Sequence, residues 1–226
     1  MLQRAHTNKQ YDRKLRLLKD MILLMGYHAQ QMIADSIRAL TEGRSSIARE
    51  VILRDETLDQ LEVDVDRLCH EIFALQHPLA GDLRIVTTAF KIVRDIERIG
   101  DIAVNIAERV NELLLEPRVE WVSALQIMAQ LVQRNLSLSL DALVSSDDSA
   151  ALKVIEGDQE IDDLNEQIFR ELLIYMMEDP NNVPRCLKLI FIAKHLERVG
   201  DHATNIAEMI LFMIRGEGTR RSHLAN

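Results

Sequence analysis

Two stretches of this chain carry carboxylates at spacings that let them act together. ERIGDIAVNIAE runs from Glu97 to Glu108, and ERVGDHATNIAE runs from Glu197 to Glu208. With Glu97 as origin on a helix, Asp101 lies at about 40°, Glu108 near 20°, Arg94 near 60° and Asn105 near 80°. Ile92, Ile99, Ile102, Ala103 and Ile106 fall on the opposite side. Glu197, Asp201, Asn205 and Glu208 repeat this stripe, with Lys194 in place of Arg94. Nine of the thirteen positions 96–108 and 196–208 are identical, and the polar stripe is kept in full. Gly100 and Gly200 occupy these helix interiors, where glycine costs about 1 kcal/mol relative to alanine. Close packing against the backbone would explain them.

A second acidic stripe lies upstream of each motif. Asp55, Asp59, Glu62 and Asp66 follow one another at steps of four, three and four, which keeps them on one helical face. Asp158, Asp162 and Glu166 form the matching stripe, although Asn165 and Phe169 stand at the other steps. If the paired stripes face one another, four to six carboxylates converge in each half and repel strongly. Protonation, balancing by Arg94, Arg98, Lys194 and Arg198, or a shared cation would each relieve the repulsion. An acidic stripe on a single helix is commonly a solvated face. The full retention of the Glu97–Glu108 stripe as Glu197–Glu208 favours a cation, because oxygens at i and i+4 can reach the same ion. All-oxygen donor sets suit hard cations: magnesium, calcium, manganese or ferric iron, with zinc also admitted.

Other chemistries find less support. Bundle-type di-iron oxidases need Glu-x-x-His pairs, and no Glu lies three residues before any of the seven His. Gly-rich phosphate loops and H-E-x-x-H are absent from the sequence. His195 and His202 lie one heptad apart and well away from the Glu197–Asp201 stripe, which suits packing or interface roles better than ligation. A carboxylate-bridged metalloenzyme and a metal-free helical adaptor remain the alternatives to a non-enzymatic metal-binding protein.

The elements that must position these stripes are long helices. The chain has 226 residues, 47% of them hydrophobic but only 4% aromatic, with 8 Gly and 4 Pro. That composition favours helices over sheets. Pro78, Pro117, Pro180 and Pro184, with the polar clusters 41–46 and 145–149, divide it into six predicted helices over 12–41, 46–76, 82–115, 119–144, 149–178 and 184–215. These fall into two sets of three. Val51-Ile52-Leu53-Arg54-Asp55 matches Val154-Ile155-Glu156-Gly157-Asp158, Leu58 and Asp59 match Ile161 and Asp162, and the first helices match weakly near Ala39-Leu40 and Ala142-Leu143. The expected fold is all-α: two tandem, sequence-related three-helix bundles over 10–116 and 119–216, with polar tails at 1–9 and 217–226.

The net charge is -9, and no dense Lys/Arg face is interleaved with aromatics, which argues against a nucleic-acid partner. Two smaller basic groups, Arg13, Lys14, Arg16 and Lys19, and Arg215, Arg220 and Arg221, read mainly as solvated helix ends. Cys69 and Cys186 lie far apart in apolar helical pattern and read as core residues, consistent with a reducing compartment. The N-terminal MLQRAHTNKQYDRK lacks the apolar core of a signal peptide, and no apolar run is long enough to span a bilayer. The expected location is cytoplasmic.

The doubled E-R-[IV]-G-D-x-A-x-N-I-A-E, the upstream Val-Ile-x-x-Asp helices, Leu24-Met25-Gly26 and Tyr175-Met176-Met177-Glu178-Asp179 together resemble the PhoU family. This family supplies the accessory and regulatory protein of the bacterial phosphate-specific transport system. The resemblance implies two similar three-helix bundles whose carboxylate motifs, in some members, hold multinuclear iron or zinc clusters. It implies Glu97, Asp101, Glu197 and Asp201 as ligands, joined by Asp55, Asp59, Asp158 and Asp162, with Glu62, Asp66 and Glu166 less evenly kept between the repeats. Arg94, Arg98, Asn105, Lys194, Arg198 and Asn205 would then be supporting groups or ion-pair partners. It further implies damping of phosphate uptake and signalling, contact with the transporter ATPase and the membrane sensor histidine kinase at the inner membrane face, and a homodimer.

Overall fold

The computed structural model describes residues 9–76, 80–116 and 123–216. Every regular element among them is helical. In chain order they are α1 Lys9–Glu42, α2 Ser45–Gln76, α3 Ala80–Leu113, α4 Ser123–Ser145, α5 Asp148–Glu156, α6 Asp158–Glu178 and α7 Val183–Arg215. A 3-10 turn, Pro180–Asn182, leads into α7. Lys9 belongs to α1; the rest of the expected tails, the expected helix start at 119–122, and Pro78, Pro117, Arg220 and Arg221 lie outside the described residues.

One expected helix is two. The segment 149–178 breaks at Gly157, whose N–H still bonds Lys153 O at 3.0 Å while α6 starts afresh at Asp158. The break has local causes. Glycine is a poor helix former, and Asp158 and Glu160 in the first turn of α6 favour a new N-terminus there. Asp147 caps α5 by accepting from Ser149 N at 2.9 Å and Ala150 N at 3.3 Å. In the first half, α2 runs unbroken through Arg54 at the matching position, and Arg54 pairs with Asp35 of α1 at 2.5 Å.

The repeat extends through the first helices, where the sequence match is faint. Ser36 Oγ donates to Ile33 O and Ser139 Oγ to Leu136 O, each at 2.8 Å. Both helices end in the same C-cap. Arg44 N donates to Ala39 O at 3.0 Å, and Asp147 N to Ala142 O at 3.2 Å. The residue between takes a left-handed conformation in each, Gly43 with φ 68° and Ser146 with φ 53°.

α1, α2 and α3 pack on one another, and α4 packs with α5, α6 and α7. α3 and α7 lie against each other along the middle, α1 touches α4, and α2 touches nothing of the second bundle among the described residues. Asp95 meets His202, Glu116 meets Arg185 and Lys188, and Arg84 lies over Gly216, so α3 and α7 run antiparallel. A single apolar core passes through both bundles. Ile96, Ile99 and Ile106 of α3, with Leu196, Val199 and Ile206 of α7, are wholly buried, each burial contributing about 1.5–3 kcal/mol. Cys69 and Cys186 are fully buried within it.

Candidate functional site

The first acidic stripe of α2 lies against that of α3. Gly100 makes the approach possible: a Cβ there would sit 2.2 Å from Leu58 Cδ2 and 3.7 Å from Asp55 Oδ1. Burial pushes the Asp55 carboxyl above its usual range, and the charges of Asp59 and, across the cleft, Asp101 add to this. Glu62 is raised by burial and by Asp66, against the pull of Arg94 and Arg98. Glu97 is raised by burial and by Asp101, with Arg98 opposing. Arg98 reaches Asp101 at 2.9 Å and Glu97 at 3.6 Å. Asn105 takes no part as a carboxylate partner in this cleft; its Nδ2 donates to Asp101 O at 2.9 Å within α3.

The second cleft, between α6 and α7, repeats the plan with differences. Ile161 packs over Gly200, where a Cβ would sit 3.1 Å from Ile161 Cδ1 and 3.6 Å from Asp158 Oδ1. Asp162 is raised by burial and by Asp201 across the cleft, with Lys194 opposing. Lys194 donates to Glu197 Oε1 at 2.6 Å, while Glu197 Oε2 is buried without a hydrogen-bond partner. Glu166 is well exposed and pairs with Arg170 at 3.7 Å. Asp201 and Arg198 are exposed and Asn205 is half-buried on α7.

The stripes therefore do face one another, and their carboxylates feel one another's charge. Among the described residues, however, no three carboxylate, imidazole or thiol groups are gathered closely enough to hold an ion as they stand. The donors fit a hard cation in kind: oxygen ligands from two neighbouring helices, mutually repelling, with one buried carboxylate oxygen unmet. Arg98 and Lys194 meanwhile supply the ion pairs that a metal-free cleft would use.

The seam between α3 and α7 holds charges that stripe reasoning passed over. His202 Nδ1 and Asp95 Oδ1 lie 2.7 Å apart, both largely buried. Asp95 sits about 160° from Glu97 on the helical wheel, in the middle of the apolar face, and that misplaced charge was its sequence signal. His195 is half-buried near Arg198 and Arg109, and desolvation with those cations pushes its imidazole below the usual value. Both histidines are thus interface residues. Glu116 clasps the start of α7 through Lys188 and Arg185. The basic group on α1 is partly spent inside the fold: Lys14 pairs with Glu71 at 2.9 Å, and Lys19 donates to Val144 O at 2.6 Å. No helix among the described residues is long and apolar enough to cross a membrane.

With this geometry in place, the chain can be set beside known proteins. A family model described as "PhoU domain" matches twice, at residues 22–110 and 125–210. The chain is similar to a phosphate-specific transport system accessory protein PhoU homolog of Zymomonas mobilis, 40% identical over 213 residues that cover 94% of this chain and 90% of that protein. The homolog of Caulobacter vibrioides is 41% identical, with coverage of 94% and 93%. Among solved structures, PhoU from Pseudomonas aeruginosa superimposes with a TM-score of 0.89 at 34% identity, covering 92% of this chain and all of that one (100%). The phosphate transport system regulatory protein PhoU from Streptococcus pneumoniae gives 0.86 at 26% identity, over 93% and 99%.

Proposed function

Because the chain belongs to the PhoU family, we propose that it is a negative regulator of phosphate uptake and phosphate-starvation signalling that works as a metal-binding adaptor. It is an accessory protein of phosphate transport and not an enzyme. Its partners in this reading are the transporter ATPase and the sensor histidine kinase, met at the cytoplasmic membrane face and named through the family. A homodimer belongs to the same reading.

The metal role is supported by one observation above the rest: two acidic clefts, built alike on α2/α3 and α6/α7, in which facing carboxylates repel. Asp55, Asp59, Glu62, Glu97 and Asp101 would hold an ion in the first, and Asp158, Asp162, Glu166, Glu197 and Asp201 in the second. The side chains must gather to do so. A bound cation supplies charge neutralisation, tying two helices of each bundle together without proton uptake. Iron, zinc, manganese, magnesium and calcium are all compatible with oxygen donors. The metal-free adaptor is the second reading, favoured by the Arg98 and Lys194 pairs.

Elemental analysis of protein purified without chelator, with melting curves in metal and in chelator, separates the two. The adaptor with metal predicts stoichiometric ion and a melting temperature several degrees higher at saturation, with Asp101→Asn and Asp201→Asn each removing part of both. Metal-free protein indifferent to added cations overturns the metal role. Co-purification of the ATPase or kinase from phosphate-replete membranes tests the partners, and recovery of neither overturns them.

A further inference from the structure

Beyond its acidic end, the groove between α6 and α7 turns apolar. Phe169 and Phe191 are 50% and 55% exposed, with Leu173 and Leu187 beyond them at 44% and 45%. A cavity of about 410 Å³ opens between the helices, with Glu166 and Lys194 at its polar end. Glu166, Phe169 and Leu173 follow helical spacing on one wall, and Leu187, Phe191 and Lys194 on the other. The first bundle is an internal control. Its counterparts of Phe169, Leu173, Leu187 and Phe191 are Asp66, His70, Thr87 and Lys91. That bundle packs with polar groups there, so packing does not require the apolar set. Contiguous exposed apolar surface of this kind marks an interaction site.

Charge names the occupant. At the polar end Asp162 feels the charges of Asp163, Glu166 and Asp201 against Lys194, with Glu197 beside Lys194 and the cations Arg170 and Arg198 close by. Lys194 is already paired with Glu197 and Arg170 with Glu166, which leaves the end net negative. We propose that this groove receives an amphipathic helix of a partner protein, its apolar side chains between Phe169 and Phe191 and its Lys or Arg residues over Asp162 and Glu166. Helices dock in this way through residues at i, i+3, i+4 and i+7. The cavity lies within the range of about 300–1,000 Å³ in which proteins enclose ligand groups. The inference rests on the metal-free form of the adaptor reading, in which Asp162 and Glu166 hold no ion and stay open to a partner's cations, and deepens it.

The test uses the full chain and two fluorescein-labelled helical peptides. Both carry Leu at i, i+3, i+4 and i+7; one ends in paired Lys, its isomer in paired Glu. Anisotropy should show the Lys peptide binding about tenfold tighter or more. Phe169→Glu with Phe191→Glu should lose about tenfold, and Glu166→Lys should erase the preference for Lys. Lys91→Ala in the first bundle should change nothing. The two phenylalanines are half-exposed, so the double variant should keep its circular dichroism and melting temperature. Equal binding of both peptides, or undiminished binding by the double variant, overturns the proposal. So does a changed sedimentation coefficient of the double variant, which assigns the groove to self-association, or lost binding to anionic vesicles, which assigns it to lipid. If the double variant still recovers the ATPase or kinase from membranes, the groove falls while the adaptor stands. If the parent binds the Lys peptide but recovers neither, the adaptor falls while the groove's chemistry stands.

Discussion

At Gly100, the Cβ of an alanine would fall 2.2 Å from Leu58, whereas at Gly200 it would fall 3.1 Å from Ile161. Alanine brings a helix-propensity gain of about 1 kcal/mol at either site, and overpacking costs about 1–3 kcal/mol. Gly100→Ala should therefore lose about 1–2 kcal/mol in urea unfolding and Gly200→Ala remain near neutral. Equal effects would mean that the glycines serve something other than the Leu58 and Ile161 contacts. The carboxylates at the same level titrate in a definite direction. Asp55, Glu62, Glu97 and Asp162 are held above their ordinary values, chiefly by burial. Their contribution to stability is complete below the unfolded carboxylate range and is lost as pH rises through the raised values. In chelator, melting temperature should fall on going from about pH 5 to pH 7 by an amount that Glu97→Gln reduces by about 1–2 °C, following a like-charge term of roughly 0.5 kcal/mol. An unchanged pH profile in that variant would remove Glu97 from the cleft's electrostatics. Cys69, whose thiol burial pushes up to about 12, stays inert to alkylation while the fold is intact.

Among the elements, the ends of α1 and α4 differ by one residue in the same backbone conformation. Gly43 adopts φ 68° without strain, and Ser146 adopts φ 53° with a Cβ, at a cost of about 1–2 kcal/mol. Ser146→Gly should recover about 1 kcal/mol, visible as a higher urea midpoint with unchanged slope. A lower midpoint would show that the serine side chain compensates. The helices and their pairing into two like bundles were legible, because apolar periodicity, proline positions and the motif offset all pointed the same way. The acidic faces were legible for the same reason: a stripe survives on any straight helix. The Gly157 break was not, since Val154-Ile155 before it and Asp158 after it copy the unbroken Val51-Ile52 and Asp55 of α2. The distinction lies in Asn135, buried against Gly157, where the matching residue of the first repeat is the apolar Met32. The pairing of Asp95 with His202 depends on how α3 crosses α7, a tertiary choice that no single helix records.

At the scale of the molecule, one core runs through both bundles and the α3–α7 seam is as closely packed as either interior. The bundles should not melt separately. Calorimetry should give one transition whose van't Hoff and calorimetric enthalpies agree, and Asp95→Ala should lower it without splitting it, by about 1–3 kcal/mol for a largely buried partner left unmet. Two resolved transitions would show that the seam couples less than its burial implies.

The head-to-tail crossing of α3 and α7 also bears on ancestry. Rods that meet antiparallel at matching positions are related by a near-twofold axis, the arrangement a half-length precursor would reach by pairing with a second copy of itself. In such a history fusion would make the mates permanent and free them to diverge, so that Asp95 faces His202 while their counterparts are His195 and Ile102. Residues 9–113 produced alone should sediment as a pair, and Ile102→His, which restores a histidine opposite each Asp95, should tighten it.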